Sequence, residues 1–341
     1  MNTNTLLDYC TENTATRYAS EIRAARESWE HYNQWISGSF PELRDVAARY
    51  AIERATTNNG AVPLNALVPY LLAEPFDFQN MEVQVHVTLA NLCFEHFTQA
   101  LDDSTDEKRV PSAIQMHLSH HLLAKGFSMY LQLSSAQEGF AARLEGYFEE
   151  AMGAERFLWR HKGRVMPYTE DDFVMIGRRC ALFKASAAIY ADLTRNWEFL
   201  AQLEAGLDAA ATGIQLVDDL IDWQEDFAEG NYTYPVVRAL EICAGADPRQ
   251  ANACVLESAI FRRGPADELL DLSHRYFTES RSHFSRAGAF LMARLIDDLL
   301  SSLGPLRKCL AEIKKRNCGA LSVNPDLTDL LRRAVDLRLL H

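Results

Sequence analysis

Apolar residues recur along this chain at i, i+3, i+4 and i+7, and the pattern predicts one helix after another. Residues 15–36 carry Tyr18, Ile22, Trp29 and Trp35 among charges, and 42–56 form a second helix. TTNNG (56–60) reads as a turn, and Leu64–Glu74 as a short apolar helix. Residues 79–104 hold few charges before their end, which predicts a long buried helix. After a break at 105–111, Pro111 opens the next one. Further helices are predicted over 112–133, 136–160, 170–194, 196–227, 236–244, 248–260, 265–302, 305–316 and 326–340. HKGRVMPY (161–168) and GNYTYP (230–235) interrupt them. Strand-like alternation is absent and no linker interrupts the pattern, so the expected fold is a single all-α domain over 1–341, a helical bundle around a central cavity.

Two of these helices end in the same acidic pattern, DDxxD. The first comprises Asp102, Asp103 and Asp106; the second comprises Asp218, Asp219 and Asp222, with Asp226 four residues on. Helical positions i and i+4 share a face, so Asp102 pairs with Asp106, and Asp218 with Asp222 and Asp226. Like charges at that spacing repel, and a hard divalent cation with oxygen ligands relieves them. Two other acidic pairs carry no such pattern. Asp171-Asp172 follows Thr169 in the manner of a capping box, and Asp297-Asp298 lacks a partner at +4.

Composition narrows the classes. Of 341 residues 48% are hydrophobic, enough for a large core. A net charge of −13 argues against nucleic-acid binding. An anionic substrate would need a metal or local cations. The seven cysteines (Cys10, Cys93, Cys180, Cys243, Cys254, Cys309 and Cys318) are scattered and contain no CxxC, as expected of reduced thiols. The N-terminus lacks the plan of a signal peptide, and no run approaches 18 apolar residues. A cytoplasmic protein without a transmembrane segment is expected. His86, His96, His117, His120 and His121, around the first acidic cluster, read as core or rim residues rather than zinc ligands.

Facing helices that bring both acidic clusters to one cavity mouth would hold several Mg²⁺ ions and, through them, a diphosphate. Phe94, Phe97, Phe127 and Trp159 would line an apolar interior below. A polyanionic head on an apolar tail is the chemistry of a prenyl diphosphate, and aromatic faces would stabilise the allylic cation left when the diphosphate departs.

Residues 60–245 resemble the trans-isoprenyl diphosphate synthases and the class I terpene synthases of the same superfamily. LVPYLLAE (67–74) is similar to an early helix of that family, and NLCFEHFTQALDDSTDE to the approach to its first aspartate motif. IGRRCALFKASA (176–187) resembles its "KTxxLF" segment. GIQLVDDLIDWQED (213–226) resembles "FQxxDDxxDxxxD", including Gln215, and NYTYPVV (231–237) resembles "GKxTLP". The resemblance implies an all-α isoprenoid-synthase fold, a homodimer, three Mg²⁺ and a prenyl diphosphate substrate. Asp102, Asp103 and Asp106 would hold two metals; Asp218, Asp222 and Asp226, beside Asp219, would hold the third. Arg178 and Arg179 stand at the "KT" positions, and with Lys184 and Arg109 they form the expected diphosphate-binding set. Phe97 and Thr98 would floor the cavity and set substrate length, C15 or C20.

The departures are equally specific. The "GKRxRP" segment that binds isopentenyl diphosphate in chain-elongating members is reduced to Leu67-Val68-Pro69. Glu95 occupies a position where the family has His or Gln, the arginine pair after the first motif is replaced by displaced Lys108 and Arg109, and Asn231 replaces the lysine of "GKxTLP". An intact allylic site without the co-substrate site implies a class I terpene synthase that ionises one prenyl diphosphate to a hydrocarbon or alcohol. The alternative is a prenyltransferase, acting on isopentenyl diphosphate or another acceptor. A non-catalytic partner subunit is the third reading.

Overall fold

A computed structural model describes residues 18–39, 64–105, 113–134, 138–243, 248 and 251–315; of residues 102–105 it describes only the helical backbone. The helices expected at 42–56 and 326–340 lie outside these residues, as do Asp106 and Arg109. Every element among the described residues is helical, and they contain no strand.

The amphipathic pattern places most helices within a few residues of expectation. They are α1 (Ala19–Ser39), α2 (Leu64–Leu72), α3 (Met81–Thr105), α4 (Ala113–Leu133) and α5 (Glu138–His161). The chain continues with α6 (Glu170–Gly177), α7 (Ala185–Thr194), α8 (Leu200–Ile221), α9 (Trp223–Glu229) and α10 (Tyr234–Ile242). It ends with α11 (Ala253–Arg262), α12 (Pro265–Arg286) and α13 (Phe290–Lys315).

Three long predictions are corrected. The stretch 170–194 is two α-helices joined by a 3₁₀ segment, Arg178–Lys184. At its start Gly177 lies so close to α8 that a Cβ would stand 2.1 Å from Thr212 Oγ1. The helix expected over 196–227 breaks at Asp222, whose φ of −98° and ψ of 12° leave the α region. The helix expected over 265–302 ends at Arg286; after Gly288 (φ 73°) a new one runs unbroken through Pro305. Buried Leu299, Leu303, Leu306 and Leu310 continue across that proline, and their burial offsets its cost of ~3 kcal/mol.

The capping box holds as read. Asp172 N donates to Thr169 Oγ1, and Thr169 N donates to Asp172 Oδ2 at 2.7 Å. Asp297 pairs at the surface with Arg281.

α8 packs along α12, α3 along α4, and α12 along α13. Two glycines let α8 approach α12 closely. A Cβ on Gly206 would sit 2.8 Å from the Phe284 ring, and one on Gly213 2.7 Å from the Phe277 ring. Ser280 Oγ donates to Gly206 O across the same seam at 2.7 Å. Leu291, at the start of α13, ties back to two early segments of the chain. Its N–H donates to Glu74 Oε2 at 2.6 Å, and its carbonyl accepts from Tyr18 OH at 3.3 Å.

Candidate active site

α2, α3, α5, the 3₁₀ segment, α8 and α13 enclose a cavity of about 160 Å³. On α8 its lining runs Leu207, Ala211, Ile214 and Asp218, a stripe stepping by four, three and four residues. At a rise of 1.5 Å per residue that stripe is roughly 16 Å long. Val68, Phe183, Met292, Leu295, Ile296 and Leu299 complete apolar walls. Polar groups are Asn65, Glu95, Thr98, Gln99, Glu155, Arg179, Gln215 and Asp218.

The second acidic cluster closes the α8 end. Gln215 Nε2 donates to Asp218 Oδ2 at 3.2 Å and reaches Asp219 Oδ1 at 3.5 Å. Asp218 and Asp219 are both buried. Burial, and Asp218 beside it, push the Asp219 carboxyl well above the usual carboxylate range; Gln215 and Arg179 act the other way. Asp219 Oδ2 is buried without a hydrogen-bond partner. The helix break at Asp222 does not disperse the cluster, because Asp222 N donates to Asp218 O and Asp226 N to Asp222 O, preserving one-turn spacing. Buried, mutually repelling carboxylate oxygens suit a hard divalent cation. Among the described residues alone, no three His, Cys, Asp or Glu side chains converge as a metal site.

On α3 the lining residues are Glu95, Thr98 and Gln99. Asp102 follows Thr98 by one helical turn on the same helix. Thr98 Oγ1 donates to Glu95 O at 3.0 Å.

Of the expected cations, Arg179 borders the cavity, where its Nε donates to Glu155 Oε1 at 2.9 Å. Arg178 does not line it. Its Nη1 lies 3.7 Å from Met175 Sδ, its Nε is buried without a partner, and its charge acts on Asp208. Lys184 is corrected from a diphosphate ligand to a buried tie, with Nζ 2.6 Å from Glu150 and 2.8 Å from Asp208. Of the groups further downstream, Arg275 and Tyr276 both bind Glu170 at the start of α6, and Arg307 pairs with Asp271.

The aromatic lining is also corrected. Phe94 is fully buried, meets Phe127 edge-on (5.3 Å) and stacks with Tyr130 (5.6 Å). Phe97 turns toward Phe148 and His120, and Phe127 also meets Phe148 at 5.7 Å. These rings form core packing between α3, α4 and α5, not cavity wall. Trp159 is 71% exposed on the outer surface. His96 is buried; His86, His117, His120 and His121 are exposed. Phe183, Cys180, Glu155 and the α13 wall were missed. The 292, 295, 296, 299 spacing signals a buried stripe but not that it faces a cavity.

The loop 161–168 lies against the second cluster. Gly163 N donates to Gly230 O at 2.8 Å, and Tyr168 OH to Tyr232 O at 3.2 Å. Burial first, then the charges of Asp219 and Asp226, push the Tyr168 phenol above its usual range.

Neither a protein-family model nor a curated protein sequence matches this chain. Solved structures do. A decaprenyl diphosphate synthase from Rhodobacter capsulatus superposes with a TM-score of 0.67 at 17% identity, over 85% of this chain and 98% of that one. A polyprenyl synthase from Caulobacter crescentus, complexed with calcium and isoprenyl diphosphate, gives 0.66 at 14%, over 88% and 99%. A geranylgeranyl pyrophosphate synthetase from the archaeon Geoglobus acetivorans gives 0.61 at 19%, over 80% and 98%. The chain therefore has the all-α class I isoprenoid-synthase fold.

Proposed function

We propose that the protein is a divalent-metal-dependent prenyltransferase that takes an allylic prenyl diphosphate and passes its prenyl group to an acceptor. The observation that carries this reading is an elongated apolar cavity ending in buried Asp218 and partly buried Arg179, on the fold of proteins described as prenyl diphosphate synthases. Asp102, Asp103 and Asp106 on one side would hold Mg²⁺, with Asp218, Asp222 and Asp226 on the other and Asp219 adjacent. Three ions is the number the resemblance implies. When bound, the metal neutralises charge developing on the departing diphosphate.

The chain's own residues do the rest. Arg179 places a fixed guanidinium near the diphosphate end and strengthens charge pairing there. Gln215 orients the Asp218 carboxylate. Ile214, Leu207, Leu295 and Leu299 exclude water from the prenyl tail, and Phe183 presents a ring to the cationic intermediate.

One observation favours a second reading, a class I terpene synthase acting on a single diphosphate. Among the described residues lining the cavity Arg179 is the only Lys or Arg, and it is bound by Glu155, while Glu95 adds a further carboxylate. A second diphosphate is poorly served by such a lining.

Incubation with Mg²⁺ and geranyl, farnesyl or geranylgeranyl diphosphate, with and without isopentenyl diphosphate, separates the readings by mass spectrometry. A longer diphosphate formed only with the co-substrate is the expected result for prenyl transfer. A hydrocarbon or alcohol from one diphosphate alone replaces it with the terpene-synthase reading. No diphosphate release from any mixture sinks the terpene-synthase reading and chain elongation alike, and restricts prenyl transfer to an acceptor other than isopentenyl diphosphate.

A further inference from the structure

The stretch from Arg156 to Pro167 differs in character from the rest of the chain. It holds Arg156, Arg160, Lys162 and Arg164 and no aspartate or glutamate, in a protein of net charge −13. Trp159, on the last turn of α5, is 71% exposed; Val165 and Met166, in the loop that follows, are 41% exposed each. Arg160, Arg164 and Pro167 are exposed beside them. Neither Arg160 nor Arg164 makes an ion pair among the described residues. Of the nearest acids along the chain, Glu155 pairs with Arg179, Glu170 with Arg275, and Asp172 serves its cap, while Asp171 is exposed in the first turn of α6.

The backbone under these side chains is fastened. Gly163 N and Tyr168 OH bind the carbonyls of Gly230 and Tyr232, and Arg164 N binds His161 O at 2.9 Å. The loop thus presents apolar and cationic groups outward from a fixed base, while its inner side abuts the Asp219 and Asp226 end of the cavity.

We propose that this loop docks the protein on the surface of an anionic phospholipid bilayer. Trp159, Val165 and Met166 seat at the boundary between headgroups and acyl chains, and Arg160 and Arg164 face lipid phosphates. Exposed apolar groups alone would fit another protein surface, and cations alone any polyanion. The two interleaved within eight positions, with an exposed tryptophan among them, fit a charged bilayer interface. The cations also answer a specific difficulty: a protein of this net negative charge is repelled by anionic lipid unless it approaches through a locally basic face. The inference stands independently of the reaction proposed above.

The test is sedimentation of the full chain with vesicles of phosphatidylcholine alone and of phosphatidylcholine mixed with phosphatidylglycerol. The protein is expected to bind the mixed vesicles and to dissociate as salt is raised. Each exposed arginine contributes about fivefold to the partition coefficient, so Arg160→Ala with Arg164→Ala lowers it roughly 25-fold. Trp159→Ala lowers it on the order of tenfold. Both variants keep the wild-type melting temperature, since the replaced side chains are exposed. Equal sedimentation with and without anionic lipid, or variants that bind as the wild type does, would overturn the proposal. So would a wild-type dimer that Trp159→Ala dissociates, because the patch would then belong to a second copy of the chain.

Discussion

Gln215 holds the Asp218 carboxylate from one side, and Asp218 borders the cavity at the end of α8. Asp218→Ala removes a proposed ligand without opening an apolar gap. We expect kcat to fall ~10²-fold or more while the circular dichroism spectrum is kept. Thr98 is the cavity-lining residue of the Phe97–Thr98 pair, so Thr98→Phe shortens the space available. Activity on the longest accepted prenyl diphosphate should fall relative to the shortest, measured as a ratio of kcat/KM. Phe97→Ala instead removes a core ring and should lower stability. Lys184→Ala strands Glu150 and Asp208 beside the 3₁₀ segment. Both carboxylates are partly exposed, so the expected loss is ~2–3 kcal/mol in urea unfolding, less than for a wholly buried pair. Asp218 was legible from the spacing of the second cluster, and Gln215 and Thr98 from the family resemblance; all three line the cavity. Phe97, Trp159 and Lys184 were not, because one helical step turns a side chain by about 100° and a pattern error of one residue exchanges cavity for core or surface.

Helices were legible because their apolar stripes repeat at the right period, and α3, α4 and α5 begin and end close to expectation. Their interior breaks were not. The 3₁₀ stretch Arg178–Lys184 has good helix formers, and what accompanies the change is tertiary: Gly177 against Thr212, and Lys184 drawn between two carboxylates. Gly288 was a readable signal for the end of α12, overlooked beneath a continuous amphipathic pattern. The α8–α12 seam depends on residues without side chains. Gly213→Ala should cost ~1–3 kcal/mol, because a methyl at 2.7 Å from the Phe277 ring forces the helices apart. Denaturant midpoints would show this, and Phe277→Leu in the same chain should restore part of the loss. A double mutant no better than Gly213→Ala would place the clash elsewhere.

For the whole molecule, the fold class was legible and the wall made by α13 was not, since nothing in a periodic stripe says which distant helix it meets. α3 and α8, which both line the cavity, are brought together across it only by folding. Bound Mg²⁺ and inorganic diphosphate should therefore stabilise the native state as a unit, by ~2.7 kcal/mol at a hundredfold excess over Kd. A rise of a few degrees in Tm, absent in Asp218→Ala and reversed by chelator, is the expected readout. No described helix is long and apolar enough to cross a membrane. Leu291 adds a consequence in time. Its backbone joins Tyr18 and Glu74, residues made more than two hundred positions earlier. On the ribosome, at ~5–20 residues per second, α1 and α2 are exposed for ten seconds or longer before that partner is synthesised. Closure waits for α13, and a chain truncated before α13 leaves its cavity without a wall and Tyr18 and Glu74 without these hydrogen bonds.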